Sequence, residues 1–184
     1  MNNFNADDLE KLLMALSEEL QQHSGGGARY ELYLTGGGAM MLSVGVRRTT
    51  TDIDVIFREN AALIHDCAIA VSEKLGIDRG WCNDLVKLSK SYTPAVIANS
   101  SLYQSYGCLD VYTVNADLLL CMKLISFRDK DMQDIDFLFD YLDEQGVQVS
   151  IDLLNQWYKA YYEDYGKKPK FKSQAIAFIK GNLE

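Results

Sequence analysis

Leu9, Leu12, Leu13, Leu16 and Leu20 recur at intervals of three and four residues, so the chain opens with a helix that has one apolar face. Asn5 stands before it as an N-cap, Phe4 and Leu9 are spaced as a hydrophobic staple, and Ser24-Gly25-Gly26-Gly27 ends it. The period then shortens. Tyr30-Glu31-Leu32-Tyr33-Leu34 reads as a short strand, three glycines follow, and Ala39 to Val44 reads as a short helix. Thr51 to Phe57 alternates acids with β-branched and aromatic residues, as a strand with two faces does. Asn60 is placed to cap a helix running through Leu75, with Gly76 as its terminal glycine. Trp81, Leu85 and Leu88 fit another short helix. Residues 92–112 hold one or two strands, of which Cys108-Leu109-Asp110-Val111-Tyr112 is the clearest.

From Asp117 the spacing is helical through Leu118, Met122 and Ile125, and again through Met132, Ile135, Leu138, Phe139 and Leu142. Ser150 opens a further helix over Leu153, Leu154, Trp157 and Tyr161, and residues 172–183 form a last one. The order predicts a mixed α/β first part and an all-helical second part that meet near residue 115, without repeats or low-complexity tracts.

Composition narrows the class. The chain has 184 residues, 48% hydrophobic and 24% charged, enough for one domain with a real core, alone or with a helical appendage. No apolar run approaches the length of a membrane span, and the polar, acidic start is unlike a signal peptide, so the expectation is a cytoplasmic protein without a membrane partner. Cys67, Cys82, Cys108 and Cys121 form no C-x-x-C pair and are joined only by His23 and His65, which favours free thiols in a reducing compartment over a zinc site. A net charge of −8 argues against a protein that coats nucleic acid, while leaving room for an enzyme that touches RNA through one patch. The one basic cluster, Lys167-Lys168-Pro169-Lys170-Phe171-Lys172, has Tyr158, Tyr161, Tyr162 and Tyr165 nearby. It is either such a patch, with charge and stacking surface, or a solvated loop between helices.

The chemistry-bearing stretch is Leu34-Thr35-Gly36-Gly37-Gly38-Ala39, followed by Arg47-Arg48-Thr49-Thr50-Thr51-Asp52-Ile53-Asp54-Val55. Glycines between a strand and a helix let backbone approach a phosphate, and the helix start offers free N–H groups and the positive end of its dipole. Asp52 and Asp54 stand at i and i+2 of a strand, so both carboxylates point to one face. Two hard oxygen donors suit Mg²⁺, which takes its remaining ligands from water and phosphate. Arg48 and Thr50, just before the carboxylates, are placed to meet phosphates. Lys123 interrupts an apolar helix face formed by Leu119, Leu120, Met122 and Ile125, and its ammonium must reach water or a partner. Asp129, Asp131 and Asp134 open a helix, where acids suit the positive end of the dipole.

The order apolar-Gly-Gly, short helix, then Asp-x-Asp between apolar residues resembles the signature of DNA polymerase β-type nucleotidyltransferases. Gly36-Gly37-Gly38-Ala39 with Arg48-x-Thr50-x-Asp52-Ile53-Asp54 resembles more narrowly the bacterial branch that includes AbiEii-type and related toxin–antitoxin nucleotidyltransferases. Trp81-Cys82-Asn83-Asp84 and the helix carrying Lys123 before Arg128-Asp129 are similar to two further elements of that branch.

The resemblance implies an α+β nucleotidyltransferase core over residues 1–115, a small mixed sheet flanked by helices, with a helical region over 116–184 packed on it. It implies that Asp52 and Asp54 hold two Mg²⁺ ions, that Gly36, Gly37 and Gly38 admit the triphosphate, and that Lys123 meets a phosphate. A third acid on a later strand is expected to help hold metal and to take the attacking hydroxyl's proton. Asp110 is the choice for it and Asp84 the substitute. The implied reaction moves a nucleoside monophosphate from a nucleoside triphosphate to an RNA, such as transfer RNA, or to a protein, in a toxin–antitoxin or phage-defence setting with a cognate toxin or antitoxin. The alternative is a non-catalytic, nucleotide-binding antitoxin or regulatory partner of the same fold.

Overall fold

A computed structural model describes residues 3–24, 27–45, 49–84, 94–162 and 170–183. They belong to two compact units, one of residues 1–89 and 100–114, the other of residues 90–99 and 115–184.

The first unit begins with α1 (Ala6–His23). Asn5 caps it as its sequence predicts, and Asp8 returns the bond: Asp8 N–H donates to Asn5 Oδ1 (2.9 Å) and Asn5 N–H to Asp8 Oδ2 (3.2 Å). The five predicted leucines all lie in its buried face. Just before the helix, Phe4 and Thr50 exchange backbone hydrogen bonds of 2.7 and 2.9 Å, which ties the start of the chain to the approach to Asp52.

The sheet has five strands in the order β3-β2-β1-β5-β4: β1 (Tyr30–Thr35), β2 (Ile53–Phe57), β3 (Cys82–Asn83), β4 (Ser100–Tyr106) and β5 (Leu109–Val114). β1 runs antiparallel to β2 and parallel to β5, β2 is parallel to β3, and β4 and β5 form an antiparallel hairpin. Helices flank this mixed sheet. Directly after β1 comes α2 (Gly36–Ala39), which continues as a π-helical turn (Met40–Val44) and stops at Gly45, whose φ of +74° needs glycine. The helix therefore starts three residues earlier than the apolar pattern implies, on the glycines themselves. α3 (Ala61–Leu75) ends at Gly76 as predicted.

Two local expectations change. Asn60 sits at φ +55° and its side chain makes no cap bond, so the polar residue before α3 serves as a turn residue. Trp81 belongs to a 3₁₀ turn (Arg79–Trp81) that leads into β3 rather than to a helix, and Leu85 and Leu88 lie outside the described residues. Its indole is buried and donates to the Ala68 carbonyl at 3.0 Å. Residues 92–112 hold β4 and most of β5, the two strands expected there, preceded by the short helix α4 (Pro94–Ala98).

The second unit contains α4 and the helices α5 (Ala116–Ser126), α6 (Met132–Glu144), α7 (Ile151–Tyr162) and α8 (Ser173–Leu183), close to their predicted extents. Leu118, Leu124, Ile135, Leu138, Leu154 and Ile179 are among the side chains these helices bury. Phe127, at φ +38°, makes the turn out of α5. Among the described residues, no helix is long and apolar enough to cross a membrane.

Candidate functional site

Alternation along β2 buries Ile53 and Val55 and turns Asp54 to the other face, half-buried. Asp52 lies just before the strand begins and is exposed. Its carboxylate is held from both sides: Thr51 Oγ1 donates to Oδ1 at 3.1 Å, and Asn83 Nδ2 donates to Oδ2 at 3.1 Å. Asn83 is also the register partner of Asp54 across the parallel β2–β3 pair, so one amide stands beside both carboxylates. Two threonines brace the backbone. Thr50 Oγ1 donates to the Asp52 carbonyl at 2.8 Å, and Thr35 Oγ1 reaches the Asp54 carbonyl at 3.3 Å. Thr50 is therefore a buried brace of the segment that carries Asp52, and Arg48 lies outside the described residues.

The glycine run meets this pair directly. Gly36 opens α2 at φ +55°, and a Cβ on it would stand 2.8 Å from Asp54 Oδ2. Only a residue without a side chain leaves that carboxylate its room, and the same backbone conformation disfavours anything but glycine. Gly38 serves the core: a Cβ there would meet Leu34 Cδ2 at 2.7 Å and Ile53 Cγ2 at 3.0 Å. Gly37, between them, is half-exposed. Gly36→Ala is expected to weaken folding by about 2 kcal/mol and to push Asp54 aside. Gly38→Ala is expected to cost a similar ~1–3 kcal/mol by overpacking Leu34 and Ile53 while Asp54 keeps its place. Urea denaturation of both variants checks the two losses.

Asp110 lies elsewhere. β5 pairs with β1 so that Asp110 stands opposite Glu31, whereas Asp54 stands opposite Thr35. Glu31 and Thr35 share one face of β1, but four residues of strand separate them by about 13 Å. The stacked rings of Tyr33 and Tyr112, 4.8 Å apart, occupy the stretch between. Asp110 is instead gripped by Arg29 through two hydrogen bonds and accepts a third from Ser105, and the Arg29 guanidinium holds its carboxyl below the usual range. At the level of the pair, β5 offers Thr113 and Val114. Asp84, the substitute, directly follows Asn83 and so lies at the correct end of the sheet. Among the described residues, no three His, Cys, Asp or Glu side chains converge as a metal-binding group. The described polar side chains gathered here are thus two carboxylates and the amide that donates to one of them.

A family model described as "Nucleotidyltransferase of unknown function (DUF6036)" matches residues 11–180, nearly the whole chain. The chain belongs to this nucleotidyltransferase family. No curated protein and no solved structure matches it.

Within this family member, the ammonium of Lys123 has internal partners. Its Nζ donates to Asp134 Oδ2 at 2.6 Å and to Asp131 Oδ1 at 3.1 Å, and all three side chains are at least nine-tenths buried. Asp131 also accepts from Ser126 Oγ (2.6 Å) and from Arg128 N (3.2 Å), Nε (2.8 Å) and Nη2 (3.1 Å). Two of the three helix-opening acids, Asp131 and Asp134, are thus the counterions of Lys123, and Arg128 pairs with Asp131. Burial alone would push the Asp131 carboxyl up, but hydrogen bonds from Arg128 and Ser126 and the charge of Lys123 bring it well below the ordinary carboxylate range.

Of the basic cluster, residues 163–169 lie outside the described residues, while Lys170 and Lys172 are exposed. The described tyrosines nearby are engaged internally: Tyr162 is buried, Tyr158 packs on Tyr162 (5.3 Å) and on Phe171 (5.0 Å), and Tyr161 donates to Asp117.

Asn83 is the residue whose place at the pair sequence alone did not disclose. The visible signal was its position in Trp81-Cys82-Asn83-Asp84, but only the β2–β3 register brings it beside Asp54.

Proposed function

We propose that the chain transfers a nucleoside monophosphate from a nucleoside triphosphate to a hydroxyl of an RNA or protein acceptor. The observation that carries this reading is the closeness of Gly36 to Asp54, where an added Cβ would stand 2.8 Å from Oδ2: a glycine turn between strand and helix lies against a carboxylate of an Asp-x-Asp pair, in a chain of a nucleotidyltransferase family. The donor set suits Mg²⁺, which needs only one or two protein carboxylates and completes its octahedron with water and phosphate oxygens. Asp52 and Asp54 are the residues that would hold it. When bound there, a divalent cation neutralises charge that develops on the transferring phosphoryl group.

In the reaction, the acceptor oxygen attacks the α-phosphorus and the bond from that phosphorus to the bridging oxygen breaks. Pyrophosphate leaves with that electron pair, and the hydroxyl proton passes to solvent. Gly36 and the backbone that follows it receive the phosphates, while Asn83, Thr51 and Thr50 hold the Asp52 segment in place. The toxin–antitoxin setting of the AbiEii-like branch belongs to the same proposal, supported by the Trp81-x-Asn83-Asp84 element and by Lys123 with Arg128-Asp129.

The test offers the purified protein Mg²⁺ and each α-labelled nucleoside triphosphate in turn, with total transfer RNA and lysate proteins as acceptors. Label entering one of these pools identifies the nucleotide and the acceptor class. Nucleotide binding with no transfer to any acceptor supports the non-catalytic partner instead. Asp110→Asn is expected to keep the wild-type transfer rate in this assay, because its carboxylate serves Arg29 at the far end of the strand.

A further inference from the structure

We propose that Asn83 is the positioning residue of the carboxylate pair, holding Asp52 in the orientation that metal requires. The inference rests on the reading of Asp52 and Asp54 as metal-binding. It starts from an asymmetry between the two acids. Asp54 is set by the β2 ladder and lies half-buried against Gly36. Asp52 precedes the strand, is exposed, and has no ladder to fix it. An exposed aspartate samples several rotamers, and ordering it when an ion arrives costs affinity.

Two donors remove that freedom. The Thr51 hydroxyl reaches Oδ1, but it sits on the adjacent residue of the same irregular segment. Asn83 reaches Oδ2 from another strand, and its position is fixed by pairing with Asp54 itself. It therefore sets Asp52 relative to Asp54, which a local threonine cannot do. A carboxylate oxygen that accepts one hydrogen bond keeps a second lone pair, so both oxygens of Asp52 remain competent ligands.

The residue type fits the role. An aspartate at position 83 could not donate at neutral pH and would set a third negative charge beside two others. An alanine would leave Asp52 with Thr51 alone. Asparagine supplies the N–H and adds no charge. Outer-shell hydrogen bonds of this kind are worth about 10–100-fold in metal affinity.

The test measures Mn²⁺ binding by electron paramagnetic resonance, with and without a non-hydrolysable nucleoside triphosphate, for the wild type, Asn83→Ala and Asn83→Asp. Thermal midpoints are recorded in chelator and in Mn²⁺. Asn83→Ala is expected to bind Mn²⁺ roughly 10–100-fold more weakly while its midpoint in chelator stays at the wild-type value. Asn83→Asp is expected to melt lower in chelator, from carboxylate repulsion, and to gain more from Mn²⁺ than the wild type does. Unchanged Mn²⁺ affinity in Asn83→Ala overturns the positioning role, as does an Mn²⁺ gain in Asn83→Asp no larger than that of the wild type. A wild type that binds no Mn²⁺ in either condition overturns the metal reading of Asp52 and Asp54 itself, which keeps the two failures apart.

Discussion

Asp54→Asn is expected to lower nucleotidyl transfer roughly a thousandfold, the equivalent of about 4 kcal/mol of lost charge stabilisation at the transferring phosphoryl group. The substitution keeps the shape of the side chain and its place opposite Thr35, so the sheet is expected to fold as before. What changes is the charge that faces Gly36. An amide at this position brings a neutral oxygen or an N–H₂ group to the point where Oδ2 now lies, and neither replaces an anionic ligand. Asp52→Asn is expected to cost a similar factor through the opposite side of the pair. The double variant is expected to be little worse than either single one, because groups that act as a unit do not contribute additively. Incorporation of α-labelled nucleotide into acceptor, measured beside circular dichroism and nucleotide titration, checks each point. Full transfer by Asp54→Asn would falsify the assignment of the pair.

The elements around this pair were legible because they depend on short-range pattern. Leucine spacing, Asn5 and the closing glycines define α1, and the glycine run marks the passage from β1 into the helix that Gly36 opens. Alternation placed Asp54 on the face opposite Ile53 and Val55. What the pattern lacked was register. Alternation says which face Asp110 takes but not which residue of β1 it stands beside, and a parallel pairing four residues from the level of Asp54 decides that it serves Arg29. The same blindness hid Asn83, whose neighbour across β2–β3 is set by tertiary packing. Asn60 was misread as a cap because side-chain identity does not disclose a positive φ. That residues 90–99 group with the C-terminal helices was equally invisible, since such grouping depends on chain segments distant in sequence.

Lys123 shows how a site-like sequence feature acquires a structural explanation, and it yields the second large effect. Lys123→Met, similar in length and apolar, is expected to destabilise the protein by about 3–5 kcal/mol in urea denaturation at pH 8. The loss does not come from the methionine, which suits its apolar surroundings. It comes from Asp131 and Asp134, two buried carboxylates that both lose the cation they share. Removing both carboxylate charges together with the lysine, as Lys123→Met/Asp131→Asn/Asp134→Asn, is expected to recover most of the deficit. The pH dependence follows from the sign of the shift. In the wild type the Asp131 pKa is depressed, so its contribution to stability is complete above the ordinary carboxylate range near about 4 and is lost as pH falls through that range toward the folded value. In Lys123→Met one of the groups that hold the Asp131 carboxyl down is gone, so its pKa lies above the wild-type value. Its deficit is therefore expected to be largest at neutral and alkaline pH and to narrow in acid, below the ordinary carboxylate range, as Asp131 takes up a proton more readily than in the wild type. A deficit that does not narrow in acid, or a triple variant no more stable than Lys123→Met, points to lost packing rather than to lost ion pairing as the cause.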